Sequence, residues 1–184
     1  MKDLIITLII IFSAVACSEQ VPQEKILFDF EMDAELDRIH WKCFTMFSLS
    51  DKFATHGMKS LKMELYPSNW PGWTPKLDDN NWRRFETLEF DVHNPESRAV
   101  TLTVRIDDRE DFPDYGDRYN QSFVMKPGAN SIQIPLDNLV TSGSKRSLDL
   151  EKIYRFLIFM GHPEQKHVLY LDYLRLGKAG MLGS

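Results

Sequence analysis

From Ile26 onward the apolar residues recur with a period of two, not 3.6. Leu61, Met63 and Leu65 alternate with Lys62 and Glu64. Leu88, Phe90 and Val92 alternate with Thr87, Glu89, Asp91 and His93. Leu102, Val104 and Ile106 alternate with Thr101, Thr103, Arg105 and Asp107, and Ile132, Ile134 and Leu136 alternate with Ser131, Gln133 and Pro135. Such segments have one dry and one wetter face, as half-buried antiparallel strands do. Adding Ile26–Glu31, Phe44–Ser50, Tyr119–Lys126, Tyr154–Met160 and His167–Leu176 predicts about nine strands. Residues 155–160 and 168–174 are apolar on both faces, which predicts central places with cover on the second face.

Turn signals separate the runs: His56-Gly57, Asn94-Pro95, Pro127-Gly128-Ala129-Asn130, Ser142-Gly143 and Gly161-His162-Pro163. One helical turn is expected in Ser147–Ile153, capped by Ser147 or Asp149. Short strands, many turns and no long helical pattern predict an all-β antiparallel sandwich or barrel. The prolines of Asn69-Trp70-Pro71-Gly72-Trp73-Thr74-Pro75 are expected to keep that segment out of a sheet interior.

The first residues read differently. Leu4 to Ala16 is an apolar stretch broken only by Thr7 and Ser13, too short for a bilayer span, which needs about 20 residues. It fits the apolar part of a secretory signal. Its end, Ser13-Ala14-Val15-Ala16-Cys17-Ser18, resembles a bacterial lipoprotein signal, and a plain cleaved signal with an incidental Cys is the competing reading. The resemblance implies cleavage after residue 16, lipid on Cys17, and a location in the cell envelope on the outer membrane or cell surface. The expected organisation is therefore signal 1–16, tether 17–25, β-sandwich domain 26–177 and flexible tail 178–184. Cys43 then has no partner within the chain and reads as a small buried hydrophobe.

Composition removes some function classes. Of 184 residues, 43% are hydrophobic and 27% charged, an ordinary globular balance. A net charge of −5 argues against a nucleic-acid partner, since such binders carry a basic excess. Two Cys build no disulfide framework, and the five His show no paired metal-ligand spacing. Gly-rich phosphate loops and the GxSxG, HExxH and CxxC motifs are missing from the sequence. Asp107, Asp108, Glu110, Asp111, Asp114 and Asp117 supply carboxylates, but a glycosidase needs a separated pair across a groove. A non-catalytic protein is expected.

Five segments in order carry a further resemblance: Leu27-Phe28-Asp29-Phe30-Glu31, Gly57–Met63, Trp82–Pro95, Pro127–Leu136 and Leu169–Leu176. Together they resemble the galactose-binding-like jelly roll of carbohydrate-binding modules, usually appended to glycoside hydrolases. The resemblance implies non-catalytic glycan binding. The alternative is a structural or protein-interaction envelope lipoprotein that reuses the fold, with an envelope protein as partner. It also implies a structural calcium ion held by Glu31, Asp172 and the carbonyl of Lys59, against the reading that Glu31 is a solvent-facing strand end and Asp172 pairs with Arg175 or Lys178.

Candidate sugar contacts lie in two places. Trp70 and Trp73 suit stacking on the C–H face of a sugar, or else plug the sandwich end; Trp82 reads as core, and His40-Trp41 stays open. Arg105 and Asp107, followed by Arg109, Tyr115 and Tyr119, offer donors and acceptors for sugar hydroxyls, or else form a solvated, internally paired loop. Arg118 and Asn120 read as braces of that loop.

Overall fold

The computed structural model describes residues 24–178. Cys17, the signal, the tether up to residue 23 and the last six residues lie outside the described residues, as do the side chains of Trp41 and Lys42. Among the described residues eleven strands follow one another: β1 (Glu24–Phe28), β2 (Ile39–Cys43), β3 (Thr45–Ser50), β4 (Ser60–Leu65), β5 (Gly72–Pro75), β6 (Thr87–Asn94), β7 (Val100–Asp107), β8 (Tyr119–Met125), β9 (Gly128–Pro135), β10 (Arg155–Phe159) and β11 (His167–Gly177). Short 3-10 turns span Asp33–Arg38 and Tyr115–Asp117.

The strands form two antiparallel sheets stacked as a sandwich. The six-stranded sheet runs β3-β4-β11-β6-β9, with β1 also on β11; the five-stranded sheet runs β2-β5-β10-β7-β8. β11 is long enough to take two partners along one edge. His167–Leu171 pair with β4, and Leu174–Gly177 pair with β1. At the changeover the ladder to β6 slips between Asp172 and Arg175, and Tyr173 adopts φ 50. β10 and β11 are both interior strands, as their two apolar faces predict.

The predicted inward residues meet in the core: Leu61, Met63, Leu88, Phe90, Val104, Ile106, Ile134, Phe156, Ile158, Leu169 and Leu171 are all essentially without solvent contact. Each such side chain contributes about 1.5–3 kcal/mol of burial, and a slip of one residue would turn a whole row outward. That sum fixes the register.

Two strands depart from expectation. β2 and β5 carry no clean alternation, and β5 lies inside its sheet, between β2 and β10. Its prolines are placed where they cost no ladder bond: Pro71 precedes the strand and Pro75 ends it, after which Lys76 N–H donates to the Arg38 carbonyl at 2.7 Å. Gly72 is required by close approach, because a Cβ there would lie 2.4 Å from the Ile158 carbonyl oxygen. The sheet also starts earlier than expected. Glu24 and Lys25, assigned to the tether, pair with Gly177 and Leu176. The helical turn expected in Ser147–Ile153 is not formed: Ser147 bridges to Val140, and residues 150–151 make a plain turn in which Asp149 Oδ1 accepts from Glu151 N–H at 3.0 Å.

Candidate functional site

A groove of about 270 Å³ opens on the outer face of the five-stranded sheet, lined by Trp70, Arg105, Tyr115, Arg118, Asn120, Leu157 and Phe159. Its floor follows from register. Leu157 of β10, Arg105 of β7 and Asn120 of β8 stand side by side in one row. Phe159, Thr103 and Ser122 form the next, with the Thr103 and Ser122 hydroxyls 2.9 Å apart.

One wall is Trp70. Its segment is strapped to the β10–β11 turn by Met160 N–H on the Pro71 carbonyl (2.8 Å) and His162 N–H on the Asn69 carbonyl (2.9 Å). The indole meets Phe159 edge-on at 5.6 Å, rests near His162 at 4.6 Å and stays 48% exposed. The other wall is Tyr115, 68% exposed on the 3-10 turn ahead of β8. That turn docks on Ser142–Ser144: Gly143 N–H donates to the Gly116 carbonyl at 2.9 Å, and a Cβ on Gly143 would lie 2.8 Å from the Gly116 Cα.

The acidic run between β7 and β8 is mostly scaffold. Arg146 spans Asp108 (2.6 and 2.9 Å) and Asp117 (3.0 Å), and Asp149 N–H adds a bond to Asp108 at 2.8 Å. Burial acts to raise the Asp108 carboxyl, but Arg146 and the Asp149 amide outweigh it and hold it below the usual carboxylate range. Arg109 pairs with Asp117 at 2.8 Å and does not line the groove.

Of the predicted sugar contacts, the groove unites Trp70, Arg105 and Tyr115. Besides Arg109, three others are corrected. Trp73 is wholly buried on the inner face of β5, edge-on to Phe28 at 5.7 Å and near Phe30 and Phe47, so it is core and not a platform. Tyr119 also points inward; its hydroxyl donates to Gln121, and burial pushes its pKa up to about 12. Asp107 shares the face of Arg105 but has no solvent contact. It sits under Arg105 (Nε–Oδ1 2.8 Å) and Arg155 (Nη1–Oδ2 2.8 Å), and so orients the arginine that reaches the groove. Arg118 and Asn120 are braces as expected, Arg118 Nε on the Pro113 carbonyl and Asn120 Nδ2 on Ser142 Oγ, but they are also lining. Leu157 and Phe159 also line the groove, and the second apolar face of their strand is the sequence signal that points to them. Trp82 is core, and Cys43 is half-buried with a free thiol.

The carboxylates expected to hold calcium do different work. Glu31 Oε1 accepts the amides of Met58 and Lys59, both at 2.7 Å, and a Cβ on Gly57 (φ 68) would run into it. Buried Asp172 accepts Thr55 N–H (2.6 Å), His56 N–H (3.0 Å) and Tyr173 N–H (2.7 Å). Burial still pushes its carboxyl above the ordinary value against those bonds. Asp172 is therefore not paired with Arg175, nor is Glu31 a free strand end. A calcium ion wants several oxygens converging on it. Here amide hydrogens face the carboxylates, and the Lys59 ammonium sits 3.3 Å from the Glu31 carbonyl oxygen. This donor set does not fit the ion, and among the described residues no three His, Cys, Asp or Glu converge on a metal position.

A second hollow, about 480 Å³, lies on the outer face of the six-stranded sheet and is lined in part by Phe53, Asp91, His93 and Tyr170. Phe53 stacks flat on His93 at 3.6 Å, so its rings cover one another and present less platform than the walls of the first groove.

No protein-family model matches the sequence, and no curated protein matches it significantly. Solved structures do. A family 11 carbohydrate-binding module from Clostridium thermocellum, in complex with a β-1,3-1,4-mixed-linked tetrasaccharide, superposes with TM-score 0.67 at 16% identity, over 87% of this chain and 98% of that one. An exo-β-agarase superposes with TM-score 0.69 at 17% identity, over 84% of this chain but only 25% of its own. The CBM22-1–GH10 modules of xylanase 10B from Clostridium thermocellum, complexed with xylohexaose, give TM-score 0.56 at 12% identity over 89% of this chain and 30% of that one. At such identities the likeness is one of fold: the sandwich is the jelly roll of carbohydrate-binding modules.

Proposed function

We propose that this chain binds a carbohydrate without transforming it, in the groove on the five-stranded sheet. The observation that carries the reading is the groove itself, where two exposed rings, Trp70 and Tyr115, flank a floor bearing the polar groups of Arg105, Arg118 and Asn120. Indole and phenol faces suit the C–H faces of a sugar, while guanidinium and amide groups bond its hydroxyls. The groove is open and not filled by the chain's own rings, which favours an outside ligand over a purely structural role. Its lining includes no carboxylate among the described residues, whereas glycoside hydrolysis asks for two. Asp107, which bonds the lining Arg105, is buried under two arginines. The solved relatives named above include modules holding oligosaccharides, which agrees with the reading.

Affinity electrophoresis through gels containing single polysaccharides tests it. Retardation by at least one of them is expected, and Trp70→Ala should weaken it about tenfold, one step of roughly 1.4 kcal/mol. Unretarded migration in every gel overturns the reading.

The reading extends to place. The chain is anchored in the cell envelope through lipid on Cys17, where several acyl chains would hold it stably at about 0.8 kcal/mol per buried CH₂. Growth with a labelled fatty acid should label the wild type and leave Cys17→Ser unlabelled and released from membranes. Equal labelling of both removes the anchor.

A further inference from the structure

The floor of the groove carries more positive than negative charge, in a chain whose net charge is −5. Arg105, Arg118 and Arg155 gather around one buried carboxylate, Asp107. Arg155 bonds Asp107 through Nη1, lies against the ring of Phe112 at 4.4 Å and does not line the groove. The other two line it, and both keep donors over. Arg105 spends Nε and Nη2 on Asp107, which leaves Nη1 over. Arg118 spends only Nε, on the Pro113 carbonyl, so both its terminal nitrogens are without a hydrogen-bond partner among the described residues. Burial first, and then the neighbouring charge of Arg105, push Arg118 below its ordinary value; Asp107 and Asp114 only partly offset that repulsion. Of the other acids of the loop, Asp108 and Asp117 are held by Arg146, and none of the described ones lines the groove.

A guanidinium with both terminal nitrogens free matches the two oxygens of a carboxylate, or of a sulfate, in a bidentate pair. Neutral sugars make no such demand: one arginine held by an acid would serve them. We infer that the groove selects an anionic glycan, one bearing a carboxylate or sulfate that docks on Arg118 and Arg105 between Trp70 and Tyr115. This rests on the sugar-binding reading above and narrows its substrate class.

Calorimetric titration of the mature chain with three tetrasaccharides of equal length tests it: an oligogalacturonate, a sulfated galactan fragment and the neutral β-1,3-1,4 glucan. At low salt at least one anionic probe should bind about tenfold more tightly than the neutral one, and the excess should shrink as salt screens the charges. Comparison of the carboxylated and sulfated arms identifies the anion. Arg118→Gln, shown folded by an unchanged melting profile, should abolish the preference, and Arg118→Lys should keep part of it. A neutral probe bound as tightly as both anionic ones, or a preference that survives Arg118→Gln, overturns the inference and leaves sugar binding standing. If no probe binds and no polysaccharide gel retards the chain, the sugar-binding reading falls and takes this inference with it.

Discussion

Two tryptophans three residues apart, Trp70 and Trp73, meet opposite fates. Trp70 stands in the turn before β5 and keeps half its surface, whereas Trp73 falls on the inward phase of that strand and packs among Phe28, Phe30 and Phe47. The sequence pattern could not separate them, because the strand that assigns them sides is bounded by prolines and lacks alternation. The two should therefore fail in different ways. Trp73→Ala should cost about 3–5 kcal/mol of stability in chemical denaturation, the range for emptying a large core site. Trp70→Ala should stay within about 0.5 kcal/mol in the same experiment and lose sugar retention instead. Asp107 is a third case. Removal of its carboxylate leaves Arg105 and Arg155 nearly buried and unpaired, so Asp107→Ala should cost about 3–5 kcal/mol and also slacken the arginine at the groove. Equal stability of Asp107→Ala and wild type would remove the positioning role.

At the scale of elements, the strands with strict alternation were legible because one buried face leaves only one register. β2 and β5 were not, since their pairing is decided by a distant neighbour, β10, and by Gly72 admitting close contact. The acidic loop between β7 and β8 was legible as charge but not as architecture: its pairing with Arg146 joins residues far apart in the chain. That pairing has a pH signature. Asp108 is held below its ordinary 3.8 in the fold, so its contribution is complete above that value and disappears as pH falls through the lower folded value. Asp108→Asn should therefore flatten the acid limb of the melting temperature against pH; an unaltered limb would say that the brace carries no stability. Asp172 has the reverse sign. Its carboxyl is raised by burial, so stability declines as pH climbs from 3.8 towards the higher folded value.

The anchoring of the loop after β3 by Glu31 and Asp172 also bears on metal binding. Since hydrogen-bond donors meet these carboxylates, the amides of Thr55, Met58 and Lys59 and the Thr55 hydroxyl, the melting temperature should be the same in EDTA and in excess calcium. A rise with calcium would mean that the loop turns its carbonyls inward around the ion.

For the molecule as a whole, the sequence carried the architecture further than the site. Four period-two runs and five further apolar segments suffice to predict stacked antiparallel sheets, and the apolar second faces of β10 and β11 announced the two sheet centres. The groove is a product of assembly. Leu157, Arg105 and Asn120 come from three strands and meet only through register, and Trp70 and Tyr115 close over them from loops pinned by backbone bonds. Solved modules with the same jelly roll and under a fifth identity show how little of the fold depends on particular residues. The ligand must therefore be argued from the side chains of this groove.

The central claim is that an external sugar occupies the outer face of the five-stranded sheet between Trp70 and Tyr115. It is tested most directly by incubating one panel of immobilised polysaccharides with the wild-type protein and with the Trp70→Ala, Tyr115→Ala double variant, both verified as folded. The account predicts that at least one polysaccharide holds the wild type and releases the double variant. A panel that holds neither, or holds both equally, contradicts it.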